Sequence, residues 1–142
     1  MLDHILNHIR KRFHPLWRLR QWAWYRKMQD LLDPDVTISM NGLKVYLKLL
    51  RDLSLILPHH GKEAGTKEVF SSLLSAQSVD VFFDVGANIG SYSWLATQHQ
   101  VVDIFMFEPE HTNCRLLRRT LQANCLSHVF VVPFAAAASA GV

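Results

Sequence analysis

The sequence predicts an α/β fold built on a parallel sheet, and three observations carry that prediction. Three short apolar runs, residues 79–83, 101–107 and 129–134, are separated by helix-compatible segments. The first run ends in a turn with two glycines, Asp84-Val85-Gly86-Ala87-Asn88-Ile89-Gly90, that opens directly into a helix. Strand, helix, strand, helix, strand is the βαβαβ unit, whose parallel strands are expected to be buried on both faces.

The elements follow in order. Residues 1–32 read as helix, because Leu2, Ile5, Leu6, Ile9 and Phe13 recur at three- and four-residue spacings. Pro15 breaks or restarts it, and Trp17, Trp22, Trp24 and Tyr25 follow with arginines between them. Up to Asp30 this segment holds seven basic and two acidic residues, a balance of +5 in a chain of net charge +3. The basic character therefore belongs to the extension, and the pI gives no reason to expect nucleic acid as a partner. Such an extension suits first packing on the domain or on a protein partner, then peripheral contact with an anionic membrane surface, and last stacking on nucleic acid.

Asp33-Pro34-Asp35 is turn chemistry. Residues 36–57 suggest short strands or a hairpin around Asn41-Gly42, although 43–57 fit a helix equally well. Residues 58–65 read as a loop. A helix over 66–76 would be capped by Thr66 and turn Val69, Phe70, Leu73 and Leu74 inward. Within the βαβαβ unit the helices are expected at 90–98 and 112–124. The second is amphipathic, with Cys114, Leu117 and Leu121 on one side and Arg115, Arg118, Arg119 and Gln122 on the other. The domain plan is thus an extension at 1–32, pre-domain strands and helix at 33–78, and the parallel sheet at 79–142.

Composition excludes several classes. A hydrophobic share of 49% against 19% charged belongs to a globular chain. No apolar run approaches the roughly 18–20 residues that span a bilayer. Absence of a secretory-type leader and the use of only two cysteines, Cys114 and Cys125, make a reduced cytoplasmic setting the expectation. Eleven positions apart on one helix, these thiols are beyond disulfide reach. His59-His60 lacks partner ligands at metal-binding spacing, so no metal is expected.

The turn after the first strand carries the chemistry. Gly86 and Gly90 allow a sharp turn and close ligand approach, and the helix that follows would present unpaired N–H groups. The spacing differs from the G-x-G-x-x-G of dinucleotide sites, which disfavours an NAD-type enzyme. Asp84 at the strand end can accept from an ammonium, a group that S-adenosylmethionine has and NAD lacks. Glu108, 24 positions later at the end of the second strand, can accept from both hydroxyls of a ribose. Glu110 reads as a surface residue.

The stretch VFFDVGANIGSYS (81–93), followed by Phe107-Glu108-Pro109-Glu110 and Asn124, resembles the FkbM-type methyltransferases over residues 79–142. The resemblance implies a Rossmann-like class I methyltransferase fold, S-adenosylmethionine as cofactor, and methyl transfer to a hydroxyl oxygen of a sugar or small metabolite. On matching positions, Asp84, Gly86, Asn88, Gly90 and Glu108 would contact the cofactor. Such domains continue with further strands and an acidic D-x-E-G motif at the fourth. This sequence stops after the third, so a domain truncated there is expected, and no catalytic residue is assigned. The alternative is a non-catalytic product whose basic aromatic N-terminal helix binds a membrane surface or partner.

Overall fold

A computed structural model describes residues 31–52 and 62–137, and the chain divides into two compact units, 1–34 and 35–142. Of the first unit only its last four residues are described: Leu31 and Leu32 are helical, and Asp33-Pro34 leave the helix. The expectations for residues 1–30, including membrane or partner contact, lie outside the described residues, as does His59-His60.

The second unit opens with an antiparallel hairpin, β1 (Asp35–Met40) and β2 (Leu43–Lys48), paired from Asp35↔Lys48 to Met40↔Leu43. Its two-residue turn is Asn41-Gly42, with φ of 51° and 76°. Positive φ at both positions matches the twist of the flanking strands, which is why this dipeptide specifies a hairpin. The helical alternative for 43–57 is thereby excluded as far as Lys48, and residues 49–52 form a turn and bend.

Helix α1 (Lys62–Ala76) begins four residues earlier than the sequence suggested. Thr66 therefore lies inside the helix and not at its N-cap position. Lys62, Glu63 and Ala64 are good helix formers, and they outweigh the cost of about 1 kcal/mol for Gly65. Phe70 and Leu74 face inward, but Val69 and Leu73 are 61% and 57% exposed. The inward stripe is narrower than four residues: positions 70 and 74 share it, and 69 and 73 lie on the neighbouring stripe.

Next come β3 (Val79–Val85), α2 (Ser91–Ala96), β4 (Val101–Phe107), α3 (His111–Ala123) and β5 (Val129–Val132). The three strands are parallel in the order β3-β4-β5. Strand β3 runs two residues further than expected, through Asp84 and Val85, while α2 and β5 are shorter. Ile104, Met106 and Val129 on the inner face form the core with Leu74, Trp94, Ala96 and Leu117 from the three helices. The expected burial on both faces fails on the other side. Val81, Phe83, Val85 and Phe130 are exposed there, because all three described helices pack on the inner face.

Helix α3 is amphipathic as read, with Cys114 and Leu117 buried. A second face holds the hairpin. Thr120 Oγ1 accepts the Tyr46 N–H at 3.0 Å. The Asn124 side chain accepts the Lys44 N–H and donates to the Lys44 carbonyl, both at 2.9 Å. Side chains thus satisfy backbone groups that an edge strand would otherwise leave open. Beyond the helix, Cys125 takes a left-handed φ of 54°, and the Leu126 N–H returns to the Leu121 carbonyl at 3.1 Å. That is a Schellman stop, with cysteine where glycine is usual. Both cysteines are free thiols, Cys114 buried and Cys125 exposed. No helix among the described residues is long and apolar enough to cross a membrane.

Candidate functional site

The parallel register sets Asp84 beside Met106 and Val85 beside Phe107, so β3 and β4 end at the same level. Asp84 and Glu108 therefore stand at the carboxyl ends of adjacent strands, with the loop 86–90 between them. In open α/β sheets that end is where ligands bind.

Several short bonds fix the loop. The Gly86 and Ala87 N–H groups donate to the Phe107 carbonyl at 2.9 and 3.1 Å, which extends the β3–β4 pairing into the turn. Gly90 N–H then closes on the Ala87 carbonyl at 2.7 Å. Gly86, Asn88 and Gly90 all have positive φ, of 78°, 52° and 81°. The two glycines serve different ends. A Cβ at Gly86 would meet nothing within 4 Å, so that position needs glycine for its backbone alone. At Gly90 a Cβ would lie 2.6 Å from both the Met106 side chain and the Trp94 ring. Trp94 is fully buried beneath the loop and donates its indole N–H to the Ile89 carbonyl at 2.6 Å.

Asp84 points toward α2. Its Oδ2 accepts from the Ser93 hydroxyl at 2.6 Å and from the Ser93 N–H at 3.2 Å, while Oδ1 accepts no hydrogen bond from the described residues. Burial pushes the Asp84 carboxyl above its ordinary pKa; the Ser93 bonds pull it down, and the nearby Glu108 charge raises it further. The helix expected to present free N–H groups has only six residues, and one of them, Ser93, donates to Asp84.

Glu108 is 5% exposed, and each of its oxygens takes one backbone N–H: Asn88 to Oε2 at 2.7 Å and Glu110 to Oε1 at 2.9 Å. A carboxylate oxygen has two lone-pair positions, so one on each oxygen remains for a ligand hydroxyl. Glu110 is the N-cap of α3, accepting from the Thr112 and Asn113 N–H groups at 2.9 and 2.7 Å. The structure thus brings all five sequence-predicted residues to one end of the sheet.

Four residues at this end escaped the sequence reading: Arg51, Ser93, Trp94 and Asn113. Arg51 binds Asp52 and Glu110 and donates to Asn113 Oδ1. Only the hydroxyl of Ser93, three positions past the last loop glycine, offered a sequence signal. Arg51 and Asn113 reach the site from elements whose approach no local pattern encodes. Among the described residues no cluster of potential metal ligands forms.

The fold is α/β, with a three-stranded parallel sheet matching part of the Rossmann-like class I methyltransferase fold. TYW2 of M. jannaschii, solved in complex with AdoMet, superposes with TM-score 0.53 at 19% identity, over 72% of this chain and 44% of that one. Trm5b of Pyrococcus abyssi matches with TM-score 0.52 at 17% identity, over 71% and 28%. The M. jannaschii tRNA m1G37 methyltransferase matches with TM-score 0.50 at 17% identity, over 74% and 31%. The chain spans less than half the length of these structures. No family model and no curated protein matches it.

Proposed function

We propose that this chain carries the S-adenosylmethionine half-site of an FkbM-type methyltransferase, whose reaction transfers a methyl group to a hydroxyl oxygen of a sugar or small metabolite. The observation that carries the reading is the pairing of Asp84 and Glu108 across loop 86–90, at the carboxyl ends of neighbouring parallel strands. The acceptor set suits the ligand. Asp84 Oδ1 is open to an ammonium, and the remaining lone pairs of Glu108 suit two ribose hydroxyls. The open space at Gly86 lets a ligand approach the backbone there. Asn88 and Gly90 shape the loop between the two acids. When bound, the cofactor supplies an electrophilic methyl group; these residues bind and orient it. The acceptor oxygen is drawn from the FkbM resemblance, whereas two of the fold neighbours are described by their action on, or complex with, tRNA.

Isothermal titration of the folded 142-residue chain with S-adenosylmethionine and, separately, with NAD tests the reading. Binding of the first alone, abolished in Asp84→Ala, is the expected result. A folded chain that binds neither refutes it, and one that prefers NAD identifies a dinucleotide site instead.

A further inference from the structure

Loop 86–90 is tied to the hairpin by a continuous run of polar contacts that ligand binding does not itself require. Asn88 is exposed and left-handed, a conformation an L residue adopts at a cost. Its side-chain Oδ1 accepts from Asn113 Nδ2 at 3.3 Å. Asn113 is 8% exposed, and its own Oδ1 accepts from Arg51. Arg51 is held in turn by Asp52, through Nε to Oδ1 at 2.9 Å and Nη2 to Oδ2 at 3.1 Å. Asp52 is almost fully buried and accepts the Lys48 N–H at 2.8 Å, which anchors the run on the last residue of β2. Arg51 also reaches Glu110 at 3.3 Å, so the same guanidinium braces the cap of α3.

Orientation makes this more than a brace. An amide at position 113 can accept from Arg51 and donate to Asn88 at once. A carboxylate of the same shape could do only the first. The bond to Asn88 holds the side chain of the residue whose backbone N–H lies on Glu108 at 2.7 Å. We infer that Arg51 and Asn113 are positioning residues: they hold Asn88 in its left-handed conformation, and through it the Glu108 carboxylate, in the arrangement that receives the ribose. This inference rests on the S-adenosylmethionine reading for its ligand, but its geometry stands without one.

The test uses the full chain and four variants. Asn113→Ala removes both bonds of the amide, Asn113→Asp keeps the acceptor for Arg51 and strips the donor to Asn88, and Arg51→Met removes only the Arg51 end. Asp35→Asn is the control, because it weakens ion pairs between hairpin and α3 and meets the run only at the Lys48 ammonium, leaving the Lys48 N–H on Asp52 and the bonds from Asp52 to Asn88 in place. Hydrogen exchange of the Asn88 amide is read without ligand, and affinity for S-adenosylmethionine by titration below every melting midpoint. Asn113→Asp is expected to speed exchange and weaken binding by about tenfold each, equivalent to one lost hydrogen bond. Its thermal midpoint should stay near that of the parent, whereas Asp35→Asn lowers the midpoint and leaves exchange and affinity alone. Unchanged Asn88 exchange in Asn113→Asp, or affinity that merely tracks midpoint across all variants, overturns the inference. Faster Asn88 exchange in Asn113→Asp, together with a parent chain that binds no S-adenosylmethionine, overturns the cofactor reading and leaves the hold of Asn113 on Asn88 standing.

Discussion

Glu108 accepts the backbone N–H of Asn88 at 2.7 Å, joining the loop after β3 to the loop after β4. Its other oxygen takes the Glu110 N–H, so both acceptors face donors. Glu108→Gln would set an NH2 group against one of those N–H groups and leave a buried donor without an acceptor. The expected cost is about 1–3 kcal/mol, read as a lower urea midpoint at unchanged slope. A midpoint equal to the parent's would mean that the carboxylate does not bridge the loops in solution.

The two loop glycines should separate cleanly. Gly86→Ala meets open space and suffers only the left-handed backbone, for about 1–2 kcal/mol. Gly90→Ala adds an overlap with Trp94 and Met106 inside a packed core, which raises the loss to about 3–5 kcal/mol. Thermal unfolding of the two variants checks the order. Equal losses would show that Trp94 can move aside.

Much of this site was legible because its signals are local. A glycine loop after an apolar run, and an acid at the end of the next run, are read along the chain. Parallel pairing then brings Asp84 and Glu108 to one level. The hairpin was legible for the same reason, since Asn41-Gly42 alone sets its turn. What escaped depends on distant partners. Arg51 finds Asn113 across 62 positions, and Asn124 finds Lys44 across 80. The start of α1 is obscured because Gly65 carries the signal of a loop residue, yet three strong helix formers precede it. The exposed sheet face is not legible because an apolar strand does not reveal whether one of its faces or both are covered.

Affinity for S-adenosylmethionine should depend on pH through Asp84. Burial first, and then the Glu108 charge, hold its carboxyl above the ordinary value against the Ser93 bonds. For a raised carboxyl the ionised form is the disfavoured one in the fold. Asp84 therefore costs stability above its folded pKa, and the cost fades as pH falls through it. A ligand ammonium needs the ionised form. Binding should weaken as pH falls from neutrality, at a higher pH than an ordinary carboxylate near 3.9 would give. Titrations across that range check it, and Asp84→Asn should bind weakly with a flat profile.

Asp35 works with the opposite sign. Its hydrogen bond from Arg115, helped by Lys48, holds its carboxyl well below the usual carboxylate range. The stabilisation is complete above the unfolded value of about 3.9 and is lost as pH falls below it. Asp35→Asn should cost about 1 kcal/mol at neutral pH, since the arginine partners are half-exposed. The gap between variant and parent should narrow in urea titrations below about pH 4. A gap independent of pH would assign the loss to packing.

The outer face of the sheet makes the last prediction. Phe83, Phe105 and Phe130 form a row across the three strands, with ring centroids 5.6 and 5.0 Å apart. Val81, Val85 and Phe130 are 42–62% exposed along it, with Phe83 at 59%. A parallel sheet is stable in water when both faces are covered, and the described residues cover one. The 142-residue chain should therefore bind an apolar dye such as anilinonaphthalene sulfonate at neutral pH while still unfolding cooperatively. Phe83→Thr with Phe130→Thr keeps strand preference and removes two rings from water. The pair should lower dye fluorescence and aggregation at a stability change within about 1 kcal/mol, because exposed side chains lose little on truncation. Ile104→Ala on the fully buried inner face is the contrast, at about 2–5 kcal/mol. If the native chain binds no dye, or the double variant costs as much as Ile104→Ala, the phenylalanine row is covered in solution.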